Sequence, residues 1–382
     1  MATALYDPAC GYYARGTRQI GRSGDFFTSV SVGPLFGELL ARRFLAEWRQ
    51  SGRPTCWRII ECGAHDGTLA ADVLTALRTL ESRAFDTLDY VIVEPLPTLR
   101  AAQWEMLHPF SPHVRIVGDP LEMVTDPLPG IAFGNELLDA LPFHLVEWRT
   151  GRWLERLVAL DALGGFGWNT AEITDPVLSD ALAPLGKDFP DGYRSEVRTC
   201  FASLLETLAR CLDHGLMLWV DYGFARPDYY HPSRTAGTLR TFANHRAGED
   251  PLDRPGLTDI TAHVDFTAVA EVALALGGRP VDFRNQGSWL IDTARAWLLE
   301  QEGNPNPSFA RQFQTLTHPA HLGGRFHLLE LSWNPDRPHC PTRSTLRLLA
   351  LPSPVRSDSA GGSGPPNCYG MMTATEVTAT PR

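Results

Sequence analysis

No run of apolar residues in this chain is long enough to cross a bilayer, and its start, MATALYDPACGYY, lacks the apolar h-region of a signal peptide. No basic stretch offsets the formal net charge of −10, which argues against general nucleic-acid binding. The seven cysteines include no C-x-x-C pair. A scattered, odd-numbered set, with Cys56 and Cys62 at one apolar run, reads as free thiols in a reducing compartment, and the cytoplasm is the expected one. A complete G-x-G-x-x-G is missing as well. What is present is ordinary globular material: 382 residues, 43% hydrophobic and 20% charged, enough for one large domain or two modest ones.

The most informative stretch is Arg58–Leu74, RIIECGAHDGTLAADVL. The apolar run Trp57 to Cys62 turns through Gly63, Ala64, His65, Asp66 and Gly67. It then opens a segment with Leu69, Val73, Leu74 and Leu77 at helical spacing. Strand, glycine turn and helix open a nucleotide-binding βαβ unit, where small residues let the backbone and helix N-terminus approach a ligand. Glu61 and Asp66 flank the turn. Carboxylates there would repel a pyrophosphate and suit a cationic head, such as the amino group and sulfonium of S-adenosyl-L-methionine (SAM). The competing reading is an ordinary β–α turn with no ligand.

Taken in order, the chain keeps alternating. The loop Gly21–Ser29, with Asp25 and Thr28, reads as a lid over the ligand site or as a plain connection. A helix is expected from Pro34 to Trp48. A second strand, Tyr90–Val93, ends at Glu94, where a nucleoside's ribose hydroxyls are commonly held. A helix over Pro97–Leu107 leads to a third strand, Val114–Val117, ending at Gly118 and Asp119. A fourth, Ile131–Phe133, runs into GNELLDALP. Such a series predicts a doubly wound α/β sheet that binds ligands at the carboxyl ends of its strands, placing Asn135, Glu136 and Asp139 beside the reactive end.

Beyond Pro142 the pattern changes. Phe143–Leu160 reads as a hairpin, and Gly164–Tyr193 as an irregular insertion. A helix from Glu196 to His214 leads to a fifth strand, Gly215–Val220, ending at Asp221 and Tyr222. The long polar stretch Tyr229–Asp265 reads as an ordered functional loop. His245, His263 and Asp265 lack further ligands at tight spacing, so a hydrogen-bonded clamp is expected there and no metal. Helices over Asp265–Leu276 and Ser288–Gln301 surround a sixth strand, Val281–Asn285. Arg325–Trp333 is the last strand, and a disordered tail is expected from Pro335.

In this order, ALYDPACGYY, GRSGDFFTSVSVGPLFGELLARR, RIIECGAHDGTLAADVL, FGNELLDALPFHLVEW, WVDYGF, GTLRTFANHRAGEDPLDRPGLTDITAHVDF and HPAHLGGRFHLLELS resemble the MidA/NDUFAF7-like family of SAM-dependent methyltransferases over about residues 4–332. The resemblance implies a Rossmann-like sheet of seven strands, six parallel and the last antiparallel, with helices on both faces and substrate-covering insertions. It implies SAM over Glu61, Gly63 and Gly67 with its ribose near Glu94; Asp25, Thr28, Asp119 and Asn135 complete the candidate cofactor set. Mitochondrial members methylate arginine in a protein of respiratory complex I, so a protein substrate is expected. The implied plan is a lid loop and helix over 1–56, a methyltransferase domain over 57–334 with insertions at about 143–195 and 225–265, and a tail over 335–382. Three departures stand out. The family's usual middle glycine is His65, the chain begins a little late, and the tail has no family counterpart.

Methyl transfer from a sulfonium is an in-line displacement, mainly a matter of positioning. A protonated guanidinium acceptor needs carboxylates to orient it. Glu136, Asp139 and Asp221, after the fourth and fifth strands, are the candidates. His263 and Asp265 are candidates for loop orientation or proton transfer. The rival readings are a SAM-binding assembly protein with little catalysis, a small-molecule methyltransferase and a nicotinamide-dependent oxidoreductase. The acidic turn argues against the last.

Overall fold

The computed structural model describes residues 1–15, 28–160, 162–243, 246–303, 306–333 and 343–349. The apolar runs become strands and the periodic segments between them become helices. In chain order these are α1 (Leu35–Gln50), β1 (Trp57–Cys62), α2 (Thr68–Leu80), β2 (Leu88–Val93), α3 (Pro97–Leu107), β3 (Val114–Val117) and β4 (Leu128–Asn135). After an insertion come α4 (Phe201–Arg210), β5 (Leu212–Phe224), α5 (Phe266–Ala275), β6 (Arg279–Asn285), α6 (Gln286–Thr293), α7 (Arg295–Glu300) and β7 (Phe326–Ser332).

The strands lie side by side in the order β6–β7–β5–β4–β1–β2–β3. Neighbours from β5 to β3 pair in parallel. Only β7 runs against its neighbours β5 and β6. This is the expected seven-stranded sheet, with Val264–Asp265 adding a short parallel strand at the end of β5. Successive residues of a strand face opposite sides. Ile59, Ile131, Phe133, Leu216, Leu218 and Leu328 therefore pack on α1, α2 and α6, and Ile60, Ala132, Met217, Trp219 and Leu329 on α4 and α5. No helix among the described residues is long and apolar enough to cross a membrane.

Several boundaries differ from expectation. The helix expected over Glu196–His214 is only α4. Tyr193–Val197 is instead a strand beside His144–Arg149, and β5 begins at Leu212. The cause is tertiary: Ser195, Glu196 and Val197 are all buried against the insertion, which local periodicity does not report. The insertion is also more regular than expected, with a strand at Phe166–Glu172 and a helix at Pro176–Leu182 capped by Asp175. Its hairpin turns at Thr150 and Gly151, both left-handed (φ 49° and 80°), which suits the strand twist. The single helix expected over Ser288–Gln301 is two, α6 and α7, joined at Ala294. Within the expected tail, Arg343–Leu348 is helical, and Leu348 is buried with its carbonyl accepting from Thr267 Oγ1 at 2.8 Å. Residues 350–382 lie outside the described residues.

Candidate active site

From β1 the chain moves outward through β2 and β3, then returns to place β4 on the other side of β1. Strand order reverses there, between β1 and β4, which is the place where open α/β sheets bind their ligands. Cys62 pairs with Gly134, which brings the glycine turn against Asn135 and Glu136. Gly63 (φ 75°) and Gly67 (φ 87°) are left-handed, and Gly67 opens α2. His65 takes φ 47° between them, the conformation a glycine would take, so the chain keeps the turn's shape with a side chain added. His65→Val, branched at Cβ, should cost about 2 kcal/mol in urea unfolding. His65→Gly should be neutral or slightly stabilising; equal losses in both would show that the turn's geometry is not what His65 accommodates.

Glu61 is buried and accepts from Tyr90 Oη at 2.5 Å; burial still pushes its carboxyl up to about 7. Glu94 is buried past the end of β2. One carboxylate oxygen accepts from Leu96 N at 2.9 Å and the other from Gln103 Nε2 at 3.2 Å. Gln103 Nε2 also donates to the His65 carbonyl at 2.9 Å. Asp119 is exposed after β3, its Oδ1 accepting from Leu121 N at 2.9 Å. Thr28 is buried and caps the helix Ser29–Val32, whereas Asp25 lies outside the described residues.

The acids gather at the ends of β4 and β5. Glu136 is held at φ 53° with its N–H donating to Val220 O at 2.8 Å, and its carboxylate accepts from Asn135 Nδ2 at 3.2 Å. Burial, then Asp139, pushes Glu136 up to about 8. Asp139 rises to about 6 through burial, with Arg198 holding it back. Asp221 is wholly buried and is pushed up by burial and by those two acids. Its oxygens accept from Leu138 N at 2.8 Å, Asp139 N at 3.2 Å and Tyr222 N at 2.8 Å, so it braces the turn that carries the other acids. Among the described residues no ion pair joins Glu136, Asp139 or Asp221 to a basic side chain. Asn135 Oδ1 is buried without a partner among the described residues.

A cover closes over this end. Tyr6 Oη donates to Ala140 O at 2.8 Å and Tyr13 Oη to Asp259 Oδ1 at 3.0 Å. His263 stacks on Tyr222, with 6.3 Å between centroids. Burial, then Arg234, pushes its imidazole down to about 4, and its Nδ1 is buried without a partner among the described residues. Asp265 serves the loop: Oδ1 accepts from Thr267 N and Ala268 N to cap α5, and Oδ2 accepts from Arg226 Nε at 3.3 Å. His245 lies outside the described residues.

Sequence reasoning missed three residues that assemble the site. Arg198 is buried, and its hydrogen bonds among the described residues go to backbone carbonyls, of Asp139 and Leu141 in the β4 turn and of Ala262 and His263 in the cover. Glu196 accepts from Thr238 N, Thr238 Oγ1 and Leu239 N, fixing the start of the cover. Gln103 joins Glu94 to the glycine turn. A pattern search finds none of these, because their partners are distant in sequence.

A family model for S-adenosyl-L-methionine-dependent methyltransferases matches residues 39–283. The mitochondrial protein arginine methyltransferase NDUFAF7 homologue of Drosophila melanogaster is 30% identical, with 87% of this chain and 80% of the relative covered. Its Homo sapiens counterpart is 28% identical, with 87% and 78% covered. A crystal structure of a methyltransferase-like protein from Burkholderia thailandensis bound to S-adenosyl-homocysteine superposes with a TM-score of 0.77 at 32% identity, covering 87% of this chain and 86% of that one. The expectation of a cytoplasmic protein is overturned, since the curated relatives are mitochondrial. Free thiols point away from an oxidising compartment and do not choose among reducing ones. On this fold and these matches, the chain belongs to the S-adenosyl-L-methionine-dependent methyltransferases.

Proposed function

We propose that this protein methylates arginine side chains of a protein substrate at the ends of β1 and β4. The carrying observation is the cluster of half-buried Glu136 with buried Asp139 and Asp221, whose proton affinities are raised; Arg198 restrains the two Asp residues without forming an ion pair to the cluster among the described residues. Buried acids of one sign are costly unless a cation completes them. A guanidinium brings that charge and a planar fork of donors that match carboxylates. The Drosophila and human relatives, named as protein arginine methyltransferases, support the same acceptor.

In this reading Glu94 takes the ribose hydroxyls, and Gly63 and Gly67 leave room for close backbone approach. Asn135 Oδ1, without a partner among the described residues, would accept from the amino end of the cofactor. These groups fit SAM, which supplies an electrophilic methyl on a sulfonium. Glu136 holds the guanidinium and fixes one nitrogen toward that methyl. The bound cofactor would supply the methyl, and the acceptor nitrogen, once methylated, would give up a proton. Glu136, which holds the guanidinium and whose proton affinity is raised to about 8, would take that proton, while His263, its imidazole held down to about 4, orients the loop. Asp221 and Asp265 hold the two loops in place.

The test offers the purified protein SAM with a labelled methyl group and peptides differing only in Arg against Lys. Label in the arginine peptides alone is the expected result. No transfer to any arginine peptide, from protein that binds S-adenosyl-homocysteine, would leave a cofactor-binding assembly protein or a small-molecule enzyme instead.

A further inference from the structure

We infer that Gln103 is a positioning residue for the cofactor, fixing the ribose-binding acid Glu94 and the glycine turn in one arrangement. The inference rests on the cofactor placement proposed above. α3 is mostly exposed, and only Gln103 and Leu107 on it are buried. Leu107 packs in the core, whereas Gln103 spends the adjacent inward position on a wholly buried amide. Burying an amide is unfavourable unless its bonds are replaced, so the choice of residue needs a reason.

Its hydrogen bonds supply one. Nε2 has two protons, and they go to His65 O at 2.9 Å and Glu94 Oε2 at 3.2 Å. Two acceptors facing one end of the side chain settle which end is nitrogen. Oε1 is left buried without a partner among the described residues. The His65 bond holds the carbonyl of the one residue in the turn that takes a left-handed φ without being glycine. The Glu94 bond complements the one from Leu96 N on the other oxygen, so both oxygens are oriented. Each keeps a free lone pair, which is what two ribose hydroxyls need. An apolar residue at 103 fills the same space and leaves Glu94 Oε2 and the His65 carbonyl without this donor.

Titration calorimetry with S-adenosyl-homocysteine tests this on wild type, Gln103→Leu, Gln103→Glu, Glu94→Ala and the double variant Gln103→Leu/Glu94→Ala. Gln103→Leu should raise Kd by about tenfold to a hundredfold, the scale of a lost bond to a charged group. The same substitution should cost clearly less in the Glu94→Ala background, because part of its effect passes through Glu94. Gln103→Glu keeps the shape and so guards against a folding defect. It should bind poorly at pH 8 and recover toward wild type at pH 6, as the added carboxyl takes a proton and donates again. If Glu94→Ala weakens binding while Gln103→Leu stays within about twofold of wild type, or if the two losses add in full, the inference falls alone. If Glu94→Ala binds as wild type does, the cofactor placement falls and takes the inference with it.

Discussion

Replacing Arg198 by methionine should lower stability by about 4 kcal/mol and abolish methyl transfer. Arg198 is 8% exposed, and its guanidinium sits over the Phe143 ring, 5.1 Å from its centroid. Nε donates to Leu141 O at 3.2 Å and Nη1 to His263 O at 2.6 Å. Nη2 donates to Asp139 O at 2.5 Å and Ala262 O at 2.7 Å. Methionine fills similar space and supplies no donor, so four carbonyls lose a charged partner. Bonds to a charged group contribute roughly 1.5–3 kcal/mol each and do not add fully, so the total sits at the severe end for point changes. The β4 turn and the cover also come apart, which moves Asp139 and His263 away from each other's loops. Asp139 further loses the positive charge that restrains its proton affinity. Urea unfolding and label transfer measure the two effects. Arg198→Lys, with fewer donors on a point charge, should recover only part of the stability. A methionine variant within about 1 kcal/mol of wild type would show that the two loops are held by something else.

Glu136→Gln should lower kcat by about a hundredfold while leaving the Kd for S-adenosyl-homocysteine within about twofold. Glutamine keeps the size and the bond to Asn135 through its carbonyl oxygen. It removes the charge that, in the proposed reading, would orient a guanidinium. A second effect has the opposite sign. Burial and Asp139 raise the folded-state value of Glu136 to about 8, above the ordinary 4.5. The folded protein then binds this proton more tightly than the unfolded chain does, so ionisation opposes folding as pH rises between those values. Glutamine has no proton to lose. Glu136→Gln should therefore be more stable than wild type above about pH 7, with little difference near pH 4. The same value sets the pH dependence of the ligand-free enzyme. kcat/KM for the peptide should rise with pH up to about 8, and that limb should vanish in the variant. Loss of activity together with gain in stability separates a functional acid from a structural one. A variant both less active and less stable at pH 8 would assign Glu136 a bracing role.

The sheet was legible because each of its first strands is a buried apolar run closed by a small or polar group: Glu61-Cys62-Gly63, Glu94, Gly118-Asp119 and Asn135-Glu136. Burial on both faces makes such runs continuous, and the turn residues punctuate them. The acid cluster was legible for the same reason, since strand ends place Glu136, Asp139 and Asp221 together. Their division of labour was not. Asp221 and Asp265 accept backbone N–H groups, and no spacing rule separates a carboxylate that braces a loop from one that faces a ligand. Arg198 was hidden further, inside a stretch read as helix, because its partners are carbonyls of residues 139–141 and 262–263. Gln103 looks like any surface residue of a helix until α3 is docked. The left-handed Glu136 carries no glycine to announce it.

The decisive measurement is calorimetric titration of the purified protein with SAM, S-adenosyl-homocysteine and NAD, beside Gly63→Val and Glu94→Ala. A side chain at Gly63 meets a positive φ and puts its Cβ 3.0 Å from Leu137 Cδ1, so it closes the turn to a ligand. Glu94→Ala leaves the backbone alone and removes the carboxylate proposed to accept from the ribose. Expected is saturable binding of SAM and S-adenosyl-homocysteine, no heat from NAD, and a loss of about tenfold or more in each variant. Well-folded protein that binds neither adenosyl compound, or binds both equally well after either substitution, would contradict a cofactor site between β1 and β4.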